Sequence, residues 1–403
     1  MNIGFYGFSS PLAGGVYQYM LSLLEALKDY SAKVTVFTSE AQYKTLSDMY
    51  PGFSYNVINM KDCFINDKIK RSFIKMFRWN ILSEHLLRVL NPDKKIFNKK
   101  KLDVMIYPAT SVEVLFHNIP SVMPVHDLAH RLHPEFPEIG AASIISGKKF
   151  FYKIAIKYAG LILADSFAGK DDILRFYEIN GVNKVKVLPF VPPKYLIDLH
   201  PADLSKEYSL NFPFIFYPAQ FWMHKNHIRL IEALHMLKIK KGFRIPLVLV
   251  GAKKNSYKQV KKRSEELGLV DQIYYLGYVG NEVIASLYKK AVALVFPSCL
   301  GPTNIPPIEA FLLGCPVLAA DSHPGVREQL GDAAVFVNPY SVESIADGIE
   351  QIWTNEELRK DLIIKGRKII SLWGQLQFNE RFGEIVSSFY EQRNKMAYVN
   401  EKV

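Results

Sequence analysis

Short apolar runs alternate with longer amphipathic stretches from the first residues of the chain. The run NIGFYGF is followed by a glycine-containing loop and then by VYQYMLSLLEALKDY. In that stretch apolar residues recur with the spacing of one buried helical face. The residues of this face are Val16, Tyr19, Met20, Leu23, Leu24 and Leu27. An apolar strand followed by an amphipathic helix, repeated along the chain, predicts parallel sheets covered by helices on both faces.

The strand and helix pattern occurs in two blocks. The first block contains KVTVFT, LDVMIYP, IPSVMPVHD and GLILADS, and the second contains FPFIFYPAQ, IPLVLVGA, QIYYLGYV, ALVFPS and CPVLAAD. A proline-rich, aperiodic stretch near residues 190–205 separates them and indicates a linker. The pattern predicts two Rossmann-like, doubly wound domains facing across a cleft, at residues 1–195 and 196–375. A final helix over residues 376–403 is expected to pack back on the first domain.

Composition supports a folded protein of two domains. A chain of 403 residues exceeds one ordinary core, and 49% hydrophobic with 22% charged residues argues against disorder. No run approaches the roughly 18–20 apolar residues of a membrane span, and the start of the chain lacks the features of a signal peptide. Three cysteines at unrelated spacings indicate neither disulfides nor a zinc site. The sequence therefore predicts a cytoplasmic protein.

The positive charge is concentrated in one segment. Of the net charge of +11, residues 61–101 carry +8, from 12 Lys and Arg against 4 Asp and Glu. Aromatic and aliphatic residues are interleaved with these cations, which is typical of a helix on an anionic membrane and also of a solvated basic surface. The pattern of residues 68–101 therefore predicts that this segment associates peripherally with the inner face of the cytoplasmic membrane. Nucleic-acid binding would rest on charge alone and is not expected.

Two loops of the first domain carry candidate chemistry, because ligands of parallel sheets bind beyond the carboxyl ends of the strands. Gly14 and Gly15 precede a helix and could form either an anion-binding loop or a plain turn; the GxGxxG fingerprint of dinucleotide binding is absent. His126 follows an apolar strand and is expected to donate to a substrate oxygen. His130 and His133 raise the question of a metal site, but no cysteine or further acid accompanies them, and none is predicted.

The second domain offers a phosphate loop and an acid. Lys225 and Asn226 stand just before a helix, where a cation beside free N–H groups suits a phosphate, although most lysines are simply solvated. Glu309 follows Pro306 and Pro307 and is expected in the first helical turn. There it would either stabilise the helix dipole or accept hydrogen bonds from a ribose diol. The chain has no Asp-x-Asp, so we expect metal-independent chemistry without a cofactor.

Together these loops resemble those of retaining GT-B glycosyltransferases of the family 4 type. FPSCLGPTNIPPIEAFLLGCPV resembles that family's Glu-x7-Glu segment, and YPAQFWMHKNHIRLIEAL its donor-phosphate loop. VHDLAHRLHPEF resembles its His-Asp loop, ADSFAGKDDILRFY a further family segment, and PLAGG its first glycine loop. The resemblance implies a GT-B fold, a nucleotide-diphosphate sugar donor, and a saccharide or lipid-linked acceptor. Bacterial O-antigen or capsule synthesis is the expected setting.

The resemblance also assigns roles to individual residues. It implies catalytic roles for Lys225 on the diphosphate, Glu309 on the ribose and His126 near the transferred sugar. The implied donor-binding residues are Gly14, Gly15, Gln220, Asn226, Tyr278, Val279, Gly301, Thr303, Asn304 and Ile305. Two positions depart from the family: its first acid falls on Gly301, and its arginine falls on Gln220. We interpret this as a changed sugar preference, with His224, Thr303 or Asn304 as candidate substitutes.

Other classes of protein fit parts of the same pattern. A two-lobed, non-catalytic ligand binder would also have two α/β domains, but the loops directed at phosphate argue against it. Another GT-B enzyme, such as a sugar epimerase or a phosphorylase, would share the donor loops. Turnover of nucleotide sugars with and without an acceptor would separate these alternatives.

Overall fold

The computed structural model describes residues 1–9, 14–58, 101–115, 117–179, 181–197, 199 and 202–400. The basic segment at residues 68–101, for which membrane association is predicted, lies outside the described residues except for Lys101. Within the described part of the chain, no helix has both the length and the apolar character needed to cross a membrane.

Strands and helices alternate as the hydrophobic pattern predicts. The strands are β1 (Asn2–Tyr6), β2 (Lys33–Ser39), β3 (Ser54–Ile58), β4 (Val104–Ile106), β5 (Ser121–Pro124), β6 (Leu161–Ala164), β7 (Val185–Val187), β8 (Ile215–Pro218), β9 (Leu247–Val250), β10 (Ile273–Gly277), β11 (Ala293–Phe296), β12 (Val317–Ala320) and β13 (Ala334–Val337). The helices are α1 (Gly15–Lys28), α2 (Glu40–Met49), α3 (Ala129–Leu132), α4 (Pro137–Gly140), α5 (Ala142–Tyr158), α6 (Phe167–Phe176), α7 (Leu204–Tyr208), α8 (His227–Lys241), α9 (Tyr257–Glu266), α10 (Asn281–Lys290), α11 (Ile305–Leu313), α12 (Pro324–Leu330), α13 (Val342–Thr354), α14 (Glu356–Leu372) and α15 (Gln375–Asn400).

The chain divides into two compact units. The first comprises Met1–Arg131, Ala142–Pro189 and Leu376–Val403, and the second comprises Leu132–Ala141 and Phe190–Gln375. The predicted division at residues 195/196 therefore lies inside the second unit. Leu132–Ala141 belongs to the second unit although the sequence on both sides of it belongs to the first.

Each unit is built on a parallel sheet. Among the described residues, the first sheet has the order β3-β2-β1-β4-β5-β6-β7 and the second the order β10-β9-β8-β11-β12-β13. The paired strands are parallel throughout. Central strands such as β4, β9, β11 and β12 are wholly buried, because helices cover both faces of a doubly wound sheet. The predicted fold class is confirmed.

Helix α1 shows how the sequence pattern becomes a core. The predicted face is buried at Tyr19, Met20, Leu23, Leu24 and Leu27, while Val16 at its start is only partly buried. Residue Phe378 of α15 lies edge-on to Tyr19 with ring centroids 6.2 Å apart, so the C-terminal helix packs within the first unit.

Candidate functional site

His126 is the second residue beyond the end of β5, and Asp165 lies directly after β6. Because β5 and β6 are adjacent and parallel, their carboxyl ends bring the two side chains together. The His126 Nδ1 atom is 3.1 Å from each Asp165 carboxylate oxygen, and its Nε2 atom is 3.2 Å from the Pro108 carbonyl oxygen. His126 is thus held in one orientation by two acceptors.

The acceptors on both ring nitrogens favour the doubly protonated form of His126. Burial by itself lowers the pKa of His126, but the adjacent Asp165 carboxylate and the Pro108 carbonyl outweigh it and leave the pKa raised. Asp165 is only 2% exposed, and Tyr19 packs edge-on to the imidazole with centroids 4.7 Å apart. The arrangement presents an imidazole whose orientation is fixed. Asp165 was not among the predicted site residues, although its position directly after a buried strand is the signal that singled out His126.

The other two histidines of this loop have separate partners. The His130 Nε2 atom is 2.9 Å from the Tyr177 hydroxyl, and burial lowers the pKa of His130 to about 4. His133 Nδ1 is 3.1 Å from a Glu135 carboxylate oxygen. Neither histidine is grouped with His126, and the described residues contain no cluster of three or more side chains suited to hold a metal ion.

The glycine loop of the first unit is described only at its end, because residues 10–13 lie outside the described residues. Gly14 is the N-cap of α1 and has φ of +61°, a left-handed conformation that favours glycine. A Cβ atom on Gly14 would meet no atom of the described residues within 4 Å, so open space among them adjoins the backbone there. Gly15 is the first residue of α1, whose N-terminus therefore faces this space.

In the second unit, Lys225 ends a 3₁₀ turn at Met223–Lys225, and α8 begins at His227. Asn226 between them has φ of +62° and is the N-cap of α8. The Tyr217 hydroxyl donates to the Lys225 carbonyl oxygen at 2.7 Å, which fixes the backbone of the turn. The sequence therefore places Lys225 correctly, directly before a helix, but the residue itself is part of a tighter turn.

The Lys225 ammonium group reaches the loop after β11. Its Nζ atom is 3.3 Å from Ser298 Oγ and 5.2 Å from the centroid of the Phe296 ring. The backbone N–H of Cys299 donates to the His224 carbonyl oxygen at 2.9 Å, so the two loops are also joined through the main chain. Parallel strands β8 and β11 are neighbours, which is why their following loops meet. Two segments that the sequence assigned separately to donor binding form one site.

The side chains of Asn226 and Gln220 form hydrogen bonds to other residues of the second unit. Asn226 donates from Nδ2 to the carbonyl oxygens of Pro297 and Pro339, at 3.1 and 2.7 Å. Gln220 Oε1 accepts from Trp222 Nε1 at 3.0 Å. Both residues thus shape the loops around Lys225.

Gly301, where the family has its first acid, has a backbone conformation that other residues avoid. Its φ is +113°, and an added Cβ atom would lie 2.7 Å from Asn304 Oδ1. The Asn304 carboxamide therefore occupies the space into which a side chain at position 301 would grow. A neutral amide therefore lies where an acidic side chain at position 301 would extend.

The N-terminal end of α11 carries further polar groups. The backbone N–H of Asn304 donates to Gln329 Oε1 at 2.8 Å, and Asn304 is the N-cap of the helix. Thr303 is 8% exposed, and its Oγ1 atom has no hydrogen-bond partner among the described residues. The same holds for the buried Nε2 atom of Gln329. Ile305, also predicted to contact the donor, is buried as the first residue of α11.

Glu309 is the fifth residue of α11, so its predicted place in the first turn is wrong by one residue. A carboxylate there is beyond the free N–H groups of the helix start, which disfavours the dipole role. Glu309 is 7% exposed and accepts hydrogen bonds from Tyr288 at 2.7 Å and from Tyr195 at 3.3 Å. Burial raises the pKa of Glu309, and the two hydroxyl donors oppose that rise. Neither tyrosine had been predicted.

The residues predicted to meet the nucleobase follow β10. Tyr278 is 76% exposed, and Val279 beside it is buried. The Tyr195 hydroxyl donates to Glu309, and its pKa is raised, chiefly by burial and further by the Glu309 carboxylate. An exposed aromatic ring and a buried carboxylate in the same unit are groups that suit a nucleoside, with its flat base and its diol.

Comparison with known proteins identifies the class. Residues 204–369, which contain the Lys225 turn and Glu309, match the family model of glycosyl transferases group 1. The structure resembles that of Anabaena HepE in complex with UDP-glucose, with a TM-score of 0.71 and 19% identity over 96% of this chain and 100% of that one. The protein is a glycosyltransferase with a GT-B fold, as predicted.

The names of two relatives specify an activity. RfbU, an O-antigen chain mannosyltransferase of Salmonella typhimurium, is 26% identical over 84% of this chain and 87% of that protein. O-antigen chain mannosyltransferase B of Escherichia coli is 25% identical over 59% of this chain and 66% of that protein. The predicted class of enzyme, a hexosyltransferase, agrees with both.

Proposed function

We propose that the protein is a retaining glycosyltransferase of the family 4 type that moves a hexosyl unit from a nucleotide-diphosphate sugar to a saccharide or lipid-linked acceptor. Bacterial surface polysaccharide, either O-antigen or capsule, is the proposed product, because RfbU is named for O-antigen synthesis. Mannose is the first donor sugar to test for the same reason. We place the enzyme at the inner face of the cytoplasmic membrane through residues 68–101, which vesicle flotation at low salt would check.

The observation that carries this proposal is the 3.3 Å approach of Lys225 Nζ to Ser298 Oγ. It brings a cation to the junction of two strand-end loops, where backbone N–H groups can also face an anion. A diphosphate leaving group would be stabilised there as its bond to the sugar carbon breaks. The acceptor hydroxyl would attack the same face and pass its proton to the departing phosphate oxygen. Because Lys225 supplies the positive charge, we propose that no metal ion is needed.

We propose roles for the remaining predicted residues as well. Glu309 would accept hydrogen bonds from the ribose diol, and Tyr278 with Val279 would meet the base. Asn304 and Thr303 would face the sugar in place of the absent acid at Gly301. In the first unit, the Nε2 N–H of His126, which is 3.2 Å from the Pro108 carbonyl oxygen, would be shared with an oxygen of the transferred sugar, and the backbone at residues 14–15 would contact the phosphate side.

Variants at the two charged residues test the proposal. Release of nucleoside diphosphate from UDP-, GDP- and dTDP-sugars, in the presence of acceptor and EDTA, would be measured for Lys225→Ala and Glu309→Gln. Loss of one preorganised donor to a developing anion costs about 10²–10³-fold in rate, which is the expected effect of Lys225→Ala. The matched control is Lys258→Ala, an exposed lysine of α9. Unimpaired transfer by both site variants would show that the site is misassigned.

A further inference from the structure

Glu138 is an acid of the segment Leu132–Ala141, which belongs to the second unit. It lies in α4, and its side chain is 9% exposed. Its Oε1 atom accepts from the His224 backbone N–H at 3.0 Å and from His224 Nδ1 at 2.6 Å. Its Oε2 atom accepts from Asn255 Nδ2 at 2.8 Å. A nearly buried carboxylate is thus fully engaged with the turn that leads to Lys225.

Asn255 completes the same arrangement. Its Oδ1 atom accepts from the Met223 backbone N–H at 3.1 Å while its amide group donates to Glu138. Met223 and His224 are the first two residues of the 3₁₀ turn that ends at Lys225. The first N–H groups of a helical turn have no partner within the turn, so they need acceptors from elsewhere. Glu138 and Asn255 supply them.

The turn is fixed on its other side by carbonyl contacts. The Cys299 N–H donates to the His224 carbonyl oxygen at 2.9 Å, and the Tyr217 hydroxyl donates to the Lys225 carbonyl oxygen at 2.7 Å. Glu138 therefore closes a frame in which the backbone of the turn is held at both its donors and its acceptors. The Lys225 side chain extends from this fixed turn and reaches Ser298.

The charge of Glu138 fits this role. Burial alone would raise the pKa of Glu138, but hydrogen bonds from the His224 backbone, Asn255 and the His224 ring outweigh burial and lower it. An ionised acceptor forms stronger hydrogen bonds than a neutral one and holds its donors in a narrower geometry. A displacement of about 1 Å at a catalytic group can cost about 10²-fold in rate.

We infer that Glu138 is a positioning residue for the donor diphosphate: it fixes the Met223–Lys225 turn so that the Lys225 ammonium group meets the phosphates. The inference rests on the proposed function. It also gives a role to the stretch of chain after His126, whose sequence continues through α3 to Glu138.

Binding measurements separate positioning from general stability. The affinities of UDP, GDP and dTDP, and of the matching nucleosides, would be measured by calorimetry for the full chain and for Glu138→Gln. We expect the best-bound nucleoside diphosphate to lose about tenfold in affinity, while the nucleoside is unaffected because it does not reach Lys225. Asn255→Ala should show the same selective loss to a smaller extent. The matched control is Glu232→Gln, since Glu232 is a partly buried acid of α8 paired with Arg263 at 2.9 Å.

A double-variant cycle tests whether Glu138 acts through Lys225. If it does, Glu138→Gln in a Lys225→Ala background should cause no further loss, because the positioned group is already absent. Equal losses for nucleoside and diphosphate, full additivity in the cycle, or behaviour like that of Glu232→Gln would each overturn the inference and leave the proposed function intact. If Lys225→Ala itself binds the diphosphates as tightly as the unmodified chain, the proposed function fails, and the inference fails with it.

Discussion

Among the described residues, Asp165 of the first unit and Glu309 of the second are buried carboxylates, and they are stabilised in different ways. Asp165 of the first unit lies against the His126 imidazole, with both oxygens 3.1 Å from Nδ1. Glu309 of the second unit accepts from the neutral hydroxyls of Tyr195 and Tyr288. The first carboxylate has an imidazole as its partner, and the second has two neutral hydroxyl groups.

This difference bears on what each acid can do. A buried ion pair is internally neutralised, so Asp165 can orient His126 without attracting a ligand of its own. Hydroxyl donors only partly offset the cost of burying a charge, which is why the pKa of Glu309 is raised. Further hydroxyl donors, such as those of a ribose, would stabilise the ionised form. Asp165 is therefore suited to positioning, and Glu309 to binding.

The largest expected effect comes from breaking the charged pair. In Asp165→Asn the pKa of His126, followed by NMR, should fall. The free energy of unfolding should also drop by about 3 kcal/mol, since removing one partner of a buried pair leaves the other uncompensated. Because the folded pKa of His126 is raised, the contribution of the pair is fully present below the unfolded value of about 6.5 and is lost as pH rises through the folded value. The difference from the unmodified chain should therefore be greater near pH 6 than near pH 9.

The control for this variant is Asp171→Asn, at an exposed acid of α6. It removes the same charge from the first unit without touching His126. An unchanged His126 pKa in Asp165→Asn would contradict the pairing.

A smaller effect, on ligand binding, is expected from removing one of the two hydroxyl groups that donate to Glu309. Tyr288→Phe should weaken nucleoside diphosphate binding about tenfold, because a hydrogen bond to a charged group contributes about 1.5–3 kcal/mol. Binding needs the ionised form of Glu309 and should therefore weaken as the pH falls. Because the pKa of Glu309 is raised, this weakening should begin at a higher pH than it would with an ordinary glutamate. In Tyr288→Phe that midpoint should move higher still. Calorimetry over a pH series would measure both effects.

Tyr275→Phe is the matched control, since its hydroxyl donates to Ser264 Oγ at 3.2 Å and not to Glu309. If both tyrosine variants bind alike, the hydroxyl of Tyr288 does not support the carboxylate.

The smallest effect concerns the loop that leads to Glu309. Gly301→Ala should lower the free energy of unfolding by about 1–2 kcal/mol, because a left-handed backbone is unfavourable for a residue with a Cβ atom. The double variant Gly301→Ala/Asn304→Ala removes the 2.7 Å contact with Asn304 Oδ1 and leaves only the backbone term. Urea unfolding would measure each.

Gly52→Ala serves as the reference, since a Cβ atom there would meet nothing within 4 Å and no left-handed φ is involved. A Gly301→Ala protein as stable as Gly52→Ala would show that position 301 tolerates a side chain, and that the acid is absent for another reason.

Strand-end positions made much of the site predictable. His126 and Lys225 each stand after an apolar run of their own unit, and each parallel sheet gathers its own strand-end residues at one edge whatever the details of packing. Asp165 could have been found by the same rule. Tyr195, Tyr288 and Glu138 could not, because they come from a 3₁₀ turn, from the last turn of a helix and from a short segment of an unexpected unit. No periodicity marks them.

The sequence by itself determined the two doubly wound sheets, the α1 core face and the loops that carry chemistry, because hydrophobic period and turn residues are local properties of the chain. The tertiary structure alone decided which of those loops share a site and which polar groups hold their side chains. It joined Lys225 to Ser298, placed Asn304 where an acid would stand at Gly301, and brought Glu138 to the Lys225 turn. Such contacts depend on the packing of segments distant in sequence, where buried polar groups must find partners that no local pattern specifies.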